Sequence, residues 1–404
     1  MATQAQVPDH VPAHLVVDFD IKADTQFGAR WQEGAAALFQ RHGPVFWTPR
    51  YDGHWVVGGY DAVVALARDT VHFSSDPWIY PPLKGSPRML PINLDPPEHG
   101  IYRHPLNAAF GPSAVLAIRD KIRGWADRLI DGFVADGRVD IVPEFAERFP
   151  VGVMLDLLGL PYDRADEFRS LMREIVTAPS PQEWARCIER VGEICKPLVE
   201  LNLREPQDTV IGRLARHSFR GRAITFDELL GYCILIFAAG LDTVVNSLGF
   251  GIMHLAQDQA LQQRLRANPK LIPRAMEEFL RRYSIVNFHR TVTEDFAFFG
   301  APMKRFDRVT YMTAAANLDP EAYTDPLEIR LDRMEKPHQA FHSGPHRCAG
   351  FNLARIEMTV AYEQILRRLP RFRLDPGHPV EIGTGTTFCL ASAPLVWDAV
   401  GVAG

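Results

Sequence analysis

The chain has 404 residues, enough for two or three domains at about 150 residues each, or for one large enzyme fold. Forty-four Lys and Arg against forty-nine Asp and Glu leave a net charge of −5, so there is no basic surplus to hold a nucleic acid. Apolar residues at 47% and charged residues at 23% exclude a disordered chain and allow a sizeable core.

Residues 1–20 contain no Lys or Arg and no apolar run, which reads as an extended arm and not a secretory signal. Residues 45–47 and 54–57 read as short strands around a turn at Tyr51, Asp52 and Gly53. Helical spacing resumes over 61–68. Segment 75–97 is rich in Pro, Gly and Ser and predicts a long loop of the kind that covers binding sites. Apolar residues near i, i+3, i+4 spacing predict helices over 114–136, 149–158, 162–177 and 184–203. Thr225, Phe226, Asp227 and Glu228 form a capping signal that opens a long helix to about residue 256. Further helices are predicted over 269–284 and 351–369, with strand-rich stretches at 292–311 and 372–396. The expected class is mainly α with small β elements. No βαβ alternation, P-loop or GxGxxG is present.

The most apolar stretch, 232–245, is broken by Asp242 and is too short to span a bilayer, so no membrane association is expected. The five cysteines, Cys187, Cys195, Cys233, Cys348 and Cys389, form no CxxC pair. An odd count fits reduced thiols in a cytoplasmic protein and excludes a disulfide frame.

The sharpest local signal is the run from Phe341 to Gly350, with Gly344, His346 and Cys348 inside it. A lone cysteine usually reads as a buried structural residue. Here Cys348 sits in a Gly- and Pro-bearing loop directly before a helix, where backbone N–H groups favour a thiolate. Such a thiolate suits a soft or borderline metal, haem iron being one case.

Phe341, Gly344, His346, Cys348 and Gly350 resemble the haem-binding loop of the cytochrome P450 family, FxxGxxxCxG. Three more signatures follow the family's order. Glu278 and Arg281 resemble its ExxR, residues 239–243 its oxygen-activation motif, and Asn317, Asp319, Pro320, Asp325, Pro326 and Arg333 the loop before the haem cysteine. Segments 9–16, 95–98, 240–246, 277–282 and 394–398 resemble the bacterial camphor-hydroxylating branch in particular. The resemblance implies a single cytochrome P450 domain over 1–404, with a helix-rich body and a small β subdomain from about 45–60, 287–311 and 372–397. Haem b would lie between the long central helix and the helix that follows Cys348.

The resemblance also implies roles. Cys348 is the iron ligand. Asp242 and Thr243 handle protons for O2 activation, with the Thr243 hydroxyl bonding backbone and opening a gap in the helix. His99, Arg103, Arg290 and His346 bind the haem propionates. Glu278, Arg281 and Arg333 are structural supports. Electrons come from an external [2Fe–2S] ferredoxin with its NAD(P)H-dependent reductase, docked near Arg103, Lys336 and Arg347. A monomer is expected.

The expected substrate pocket is Trp78, Met89, Ile92, Leu235, Ala238, Val286, Phe288 and Thr386, which is apolar and nearly free of donors. The chain departs from the camphor enzyme at three places. Pro87 stands where that enzyme has a donor tyrosine, Phe288 where it has an acid, and His342 where the family usually has Gly. The reading is therefore hydroxylation of a small terpenoid or norisoprenoid such as an ionone. Camphor hydroxylation itself, a peroxide-driven variant, and a non-catalytic haem or apolar-ligand carrier stay open. The Asp242–Thr243 pair counts against the last two.

Overall fold

The computed structural model describes residues 5–21, 30–76, 88–178, 180–240, 242–383 and 387–398. Of the expected pocket, Trp78 and Thr386 lie outside the described residues, as does Pro87.

Helices dominate and pack around one long apolar helix. That helix runs as Phe226–Gly240 and Asp242–Gln257. Its start is a reciprocal capping box. The Thr225 hydroxyl accepts from Glu228 N at 3.3 Å, and the Glu228 carboxylate accepts from Thr225 N at 2.8 Å. Taken from 226 to 257, it is long and apolar enough to cross a membrane, contrary to the reading of its apolar run as too short. More than half of its most apolar stretch is buried inside the fold, so apolarity all round marks a core helix. Packed on it are Pro181–Arg204, Ile272–Arg282 and the last helix, Phe351–Arg368. Gly251 permits the last contact, because a Cβ there would stand 2.0 Å from the Tyr362 hydroxyl.

The main sheet has the order Val45–Thr48, His54–Val57, Arg308–Met312, Asn287–Val292 and Phe73–Ser74. The first pair is antiparallel in the register Phe46↔Val56, and Tyr51, Asp52 and Gly53 turn it with φ of 53°, 63° and 78°. The strands after residue 372 join other sheets. Pro394–Trp397 pairs with Phe372–Leu374 on one side and Arg138–Asp140 on the other, and Glu381–Gly383 pairs with Cys389–Ser392.

Several boundaries differ from the sequence expectation. The helix expected over 114–136 is split into Pro112–Leu116 and Arg119–Asp131. The helices Trp31–His42, Glu98–Ala109 and Gln259–Ala267 were not expected, and neither was strand Arg138–Asp140.

Candidate active site

The loop before the last helix carries Cys348. Gly344 adopts φ 70°, and a Cβ on it would stand 2.2 Å from the carbonyl oxygen of Ala67. Only Gly fits that approach. The loop closes with Cys348 N donating to Phe341 O at 2.9 Å. The Cys348 side chain is exposed, although the surrounding protein is enough to desolvate its thiol. Burial raises its thiol above the ordinary value. The helix-start effect expected from the sequence is present through the Gly350 N–H and is helped by Arg103, Arg347 and Arg355, but desolvation outweighs it.

A second accessible surface lies on the central helix. Leu235, Ala238, Ala239, Gly240, Asp242 and Thr243 are exposed or half-buried, while the neighbours 229–234, 236 and 237 are buried. Their spacing places them on one face. The Thr243 hydroxyl donates to Ala239 O at 2.9 Å, one turn back along the helix. Asp242 makes no ion pair among the described residues. Its oxygens accept from Asn246 Nδ2, the backbone oxygen at 2.9 Å and Oδ1 at 2.8 Å. Burial pushes its carboxyl up to about 6.

Around the Cys348 loop stand the four expected carboxylate binders. His99 and Arg103 come from helix Glu98–Ala109, Arg290 from strand Asn287–Val292, and His346 from the loop itself. The rings of His99 and His346 are 4.2 Å apart. Arg103 donates to the carbonyl of Arg347, and His346 Nε2 meets Ser75 Oγ at 3.0 Å. Burial and the nearby guanidiniums hold His99 down at about 4 and His346 at about 2, so both imidazoles are neutral. His99 Nε2 is buried with no partner among the described residues.

Glu278, Arg281 and Arg333 meet in the core of the same side. Arg281 donates to both Glu278 oxygens at 2.8 and 3.0 Å, and Arg333 Nε reaches Glu278 at 3.1 Å. Arg281 also donates to the carbonyls of Asn317, Pro326 and Glu328.

Comparison with known proteins decides the family. The cytochrome P450 profile matches residues 200–395. A relative named "Probable cytochrome P450 127A1", from Sinorhizobium fredii (strain NBRC 101917 / NGR234), is 31% identical over 403 residues, covering 97% of each chain. The chain belongs to the cytochrome P450 family. It is a P450 monooxygenase with the mainly helical fold of its kin. The crystal structure of CYP101J2 superposes with TM-score 0.90 at 33% identity, covering 98% of this chain and 100% of that one. CYP101C1 superposes with TM-score 0.91 at 30% identity and the same coverage. Both belong to the camphor-type branch.

The haem of this family fits the residues present. The accessible Cys348 thiol would hold the haem iron. The imidazoles and guanidiniums beside it, with an unpartnered His99 Nε2, suit a flat ring that carries carboxylates.

The described residues of the expected pocket separate into two groups. Met89, Ile92, Leu235, Ala238 and Val286 belong to the main apolar core around the central helix. Phe288 instead packs with the main sheet. Its ring stacks on His342 at 4.6 Å and on Tyr311 at 5.4 Å. His342 has φ 64°, which explains why Gly is usual there. Its Nε2 bonds the Tyr311 hydroxyl, and its Nδ1 is buried without a partner among the described residues. Two residues of interest escaped the sequence reading. Asn246 lies inside the motif yet had no assigned role. Glu357 is 3% exposed on the last helix, and burial pushes its carboxyl up to about 8. A Glu flanked by apolar residues was its only signal.

Proposed function

We propose that this P450 hydroxylates a small apolar terpenoid or norisoprenoid, ionone-like, using O2 and electrons from a [2Fe–2S] ferredoxin and its NAD(P)H-dependent reductase. The observation that carries the reading is the accessible stripe on the otherwise buried central helix, apolar at Leu235 and Ala238 and ending in Asp242 and Thr243. Haem held by a thiolate would supply the O2 activation. Cys348 would hold it from the loop, and His99, Arg103, Arg290 and His346 would receive its carboxylates.

The remaining work belongs to side chains. Met89, Ile92, Leu235, Ala238 and Val286 exclude water from the substrate and offer it no side-chain hydrogen bond. Pro87 adds no donor either. Thr243 holds its hydroxyl on the accessible face of the helix, 2.9 Å from Ala239 O, where it can exchange a proton. Asp242, with its carboxyl near 6, can both give and take a proton around neutral pH.

Of the three cations expected at the ferredoxin face, Arg347 is exposed, whereas Lys336 is paired with Asp61 at 2.8 Å and Arg103 is turned inward. We assign the docking charge to Arg347 first. The reading places the protein in the cytoplasm as a monomer.

The test is an optical titration of the haem-loaded ferric protein with β-ionone and, separately, with camphor. A large spin-state shift of the Soret band with β-ionone and little with camphor is the expected result. A large shift with camphor and none with β-ionone overturns the substrate assignment and returns camphor hydroxylation.

A further inference from the structure

Asp242 has no cation among the described residues to offset the desolvation of its carboxyl. Glu147, just ahead of helix Arg148–Leu158, lies close enough to repel it. Helix Ala165–Thr177 supplies two arginines to this region, but both are taken by Glu147, Arg169 at 3.1 Å and Arg173 more closely. The remaining titratable neighbour is the Cys389 thiol on strand Cys389–Ser392, which feels the Asp242 charge. No cation among the described residues pairs with Asp242, and its recorded side-chain partner is an amide.

That amide is held in one orientation. Asn246 is 2% exposed. Its Oδ1 accepts from Leu390 N at 2.9 Å. A backbone N–H can only donate, so the amide oxygen must face the strand and the amide nitrogen must face Asp242. A flipped amide would set two donors and two acceptors against each other. The Asn246 nitrogen then bridges the backbone oxygen and the carboxylate of Asp242. One side chain therefore ties the Asp242 carboxyl, the central helix and the strand Cys389–Ser392 together.

We propose that Asn246 is the positioning residue of the proton relay, fixing the Asp242 carboxyl against the helix through an amide whose orientation is set by Leu390 N–H. This rests on the assignment of Asp242 as the relay acid. Donation by Asn246 favours the ionised carboxyl and opposes burial and Glu147. Without it, Asp242 takes up its proton at higher pH and loses its fixed rotamer.

The experiment is infrared titration of the Asp242 carboxyl in the haem-loaded ferric protein, with the band assigned by its loss in Asp242→Asn. Asn246→Leu removes the donor at nearly constant volume. Asn246→Asp keeps an acceptor for Leu390 N–H, so the strand stays tethered if the Leu variant loosens it. The midpoint is expected to rise by about one pH unit or more in both variants. The pH profile of NADH-driven O2 uptake with a surrogate ferredoxin system is expected to move with it. An unmoved midpoint in both variants overturns the role of Asn246. A moved midpoint with an unmoved uptake profile leaves Asn246 as the holder of Asp242 and overturns the relay assignment.

Discussion

Phe288 and His342 each depart from the family pattern, and the structure makes them one change. A His at φ 64° pays a backbone penalty that Gly avoids, about 1 kcal/mol. The ring recovers it by stacking on Phe288 and bonding the Tyr311 hydroxyl. Arg290 lies over the other partner of the stack, 5.5 Å from the Tyr311 ring centre. An acid at 288 would set a carboxyl among these buried rings. Phe288→Asp alone is expected to destabilise the haem-loaded protein by about 3 kcal/mol, mostly through lost ring burial. His342→Gly removes the stack but relieves the backbone. In the double variant the losses are expected to fall short of their sum by about 1 kcal/mol, the worth of the shared aromatic contact. Urea unfolding of the four proteins measures this. Additivity within about 0.3 kcal/mol means the two departures are independent.

At the scale of elements, Arg281 joins helix Ile272–Arg282 to the loop from Asn317 to Arg333. It donates five hydrogen bonds, two to Glu278 and three to carbonyls of the loop. A planar guanidinium can serve all of these, and an ammonium cannot. Arg281→Lys is therefore expected to cost about 3 to 5 kcal/mol, because Glu278 and several buried carbonyls lose partners. Lowered urea midpoint and faster haem loss report it, and a cost below about 1 kcal/mol would contradict the bracing role. The same elements show what a sequence can reveal. The capping box at Thr225 and Glu228 and the turn at Tyr51 to Gly53 are local chemistry, and both were legible. The Cys348 loop and Glu278–Arg281 were legible through motif spacing. Helix Glu98–Ala109 was not, since its interior Pro105 and its His and Arg residues mask the apolar period. Its signal was the Pro96-Pro97-Glu98 start, with an acid in the first turn. Strand Arg138–Asp140 is three residues long and exists because Pro394–Trp397 pairs with it from the far end of the chain. The orientation of Asn246 was illegible for the same reason, as it depends on Leu390 N–H.

For the whole molecule, buried titratable groups set how stability follows pH. His254, on the central helix and bonded to Tyr283, is held down at about 4 by burial. The unfolded chain binds that proton first, so this contribution is lost as pH falls from about 6.5 toward 4. Glu357 acts in the opposite sense. Its folded carboxyl titrates near 8, well above the ordinary 4.5, so the folded state holds a proton the unfolded chain has released. Its contribution is complete below 4.5 and is lost as pH rises through 8. Between 4.5 and 6.5 the two oppose each other, and above 6.5 Glu357 acts alone. Glu357→Gln keeps the shape and cannot ionise. It is expected to flatten the decline in stability from pH 6.5 to 8 by about 2 kcal/mol at most, at 1.36 kcal/mol per pH unit. Urea midpoints of the haem-loaded protein and variant at those two pH values measure the difference. An identical decline in both would mean that the Glu357 carboxyl ionises within the folded core near its ordinary pH.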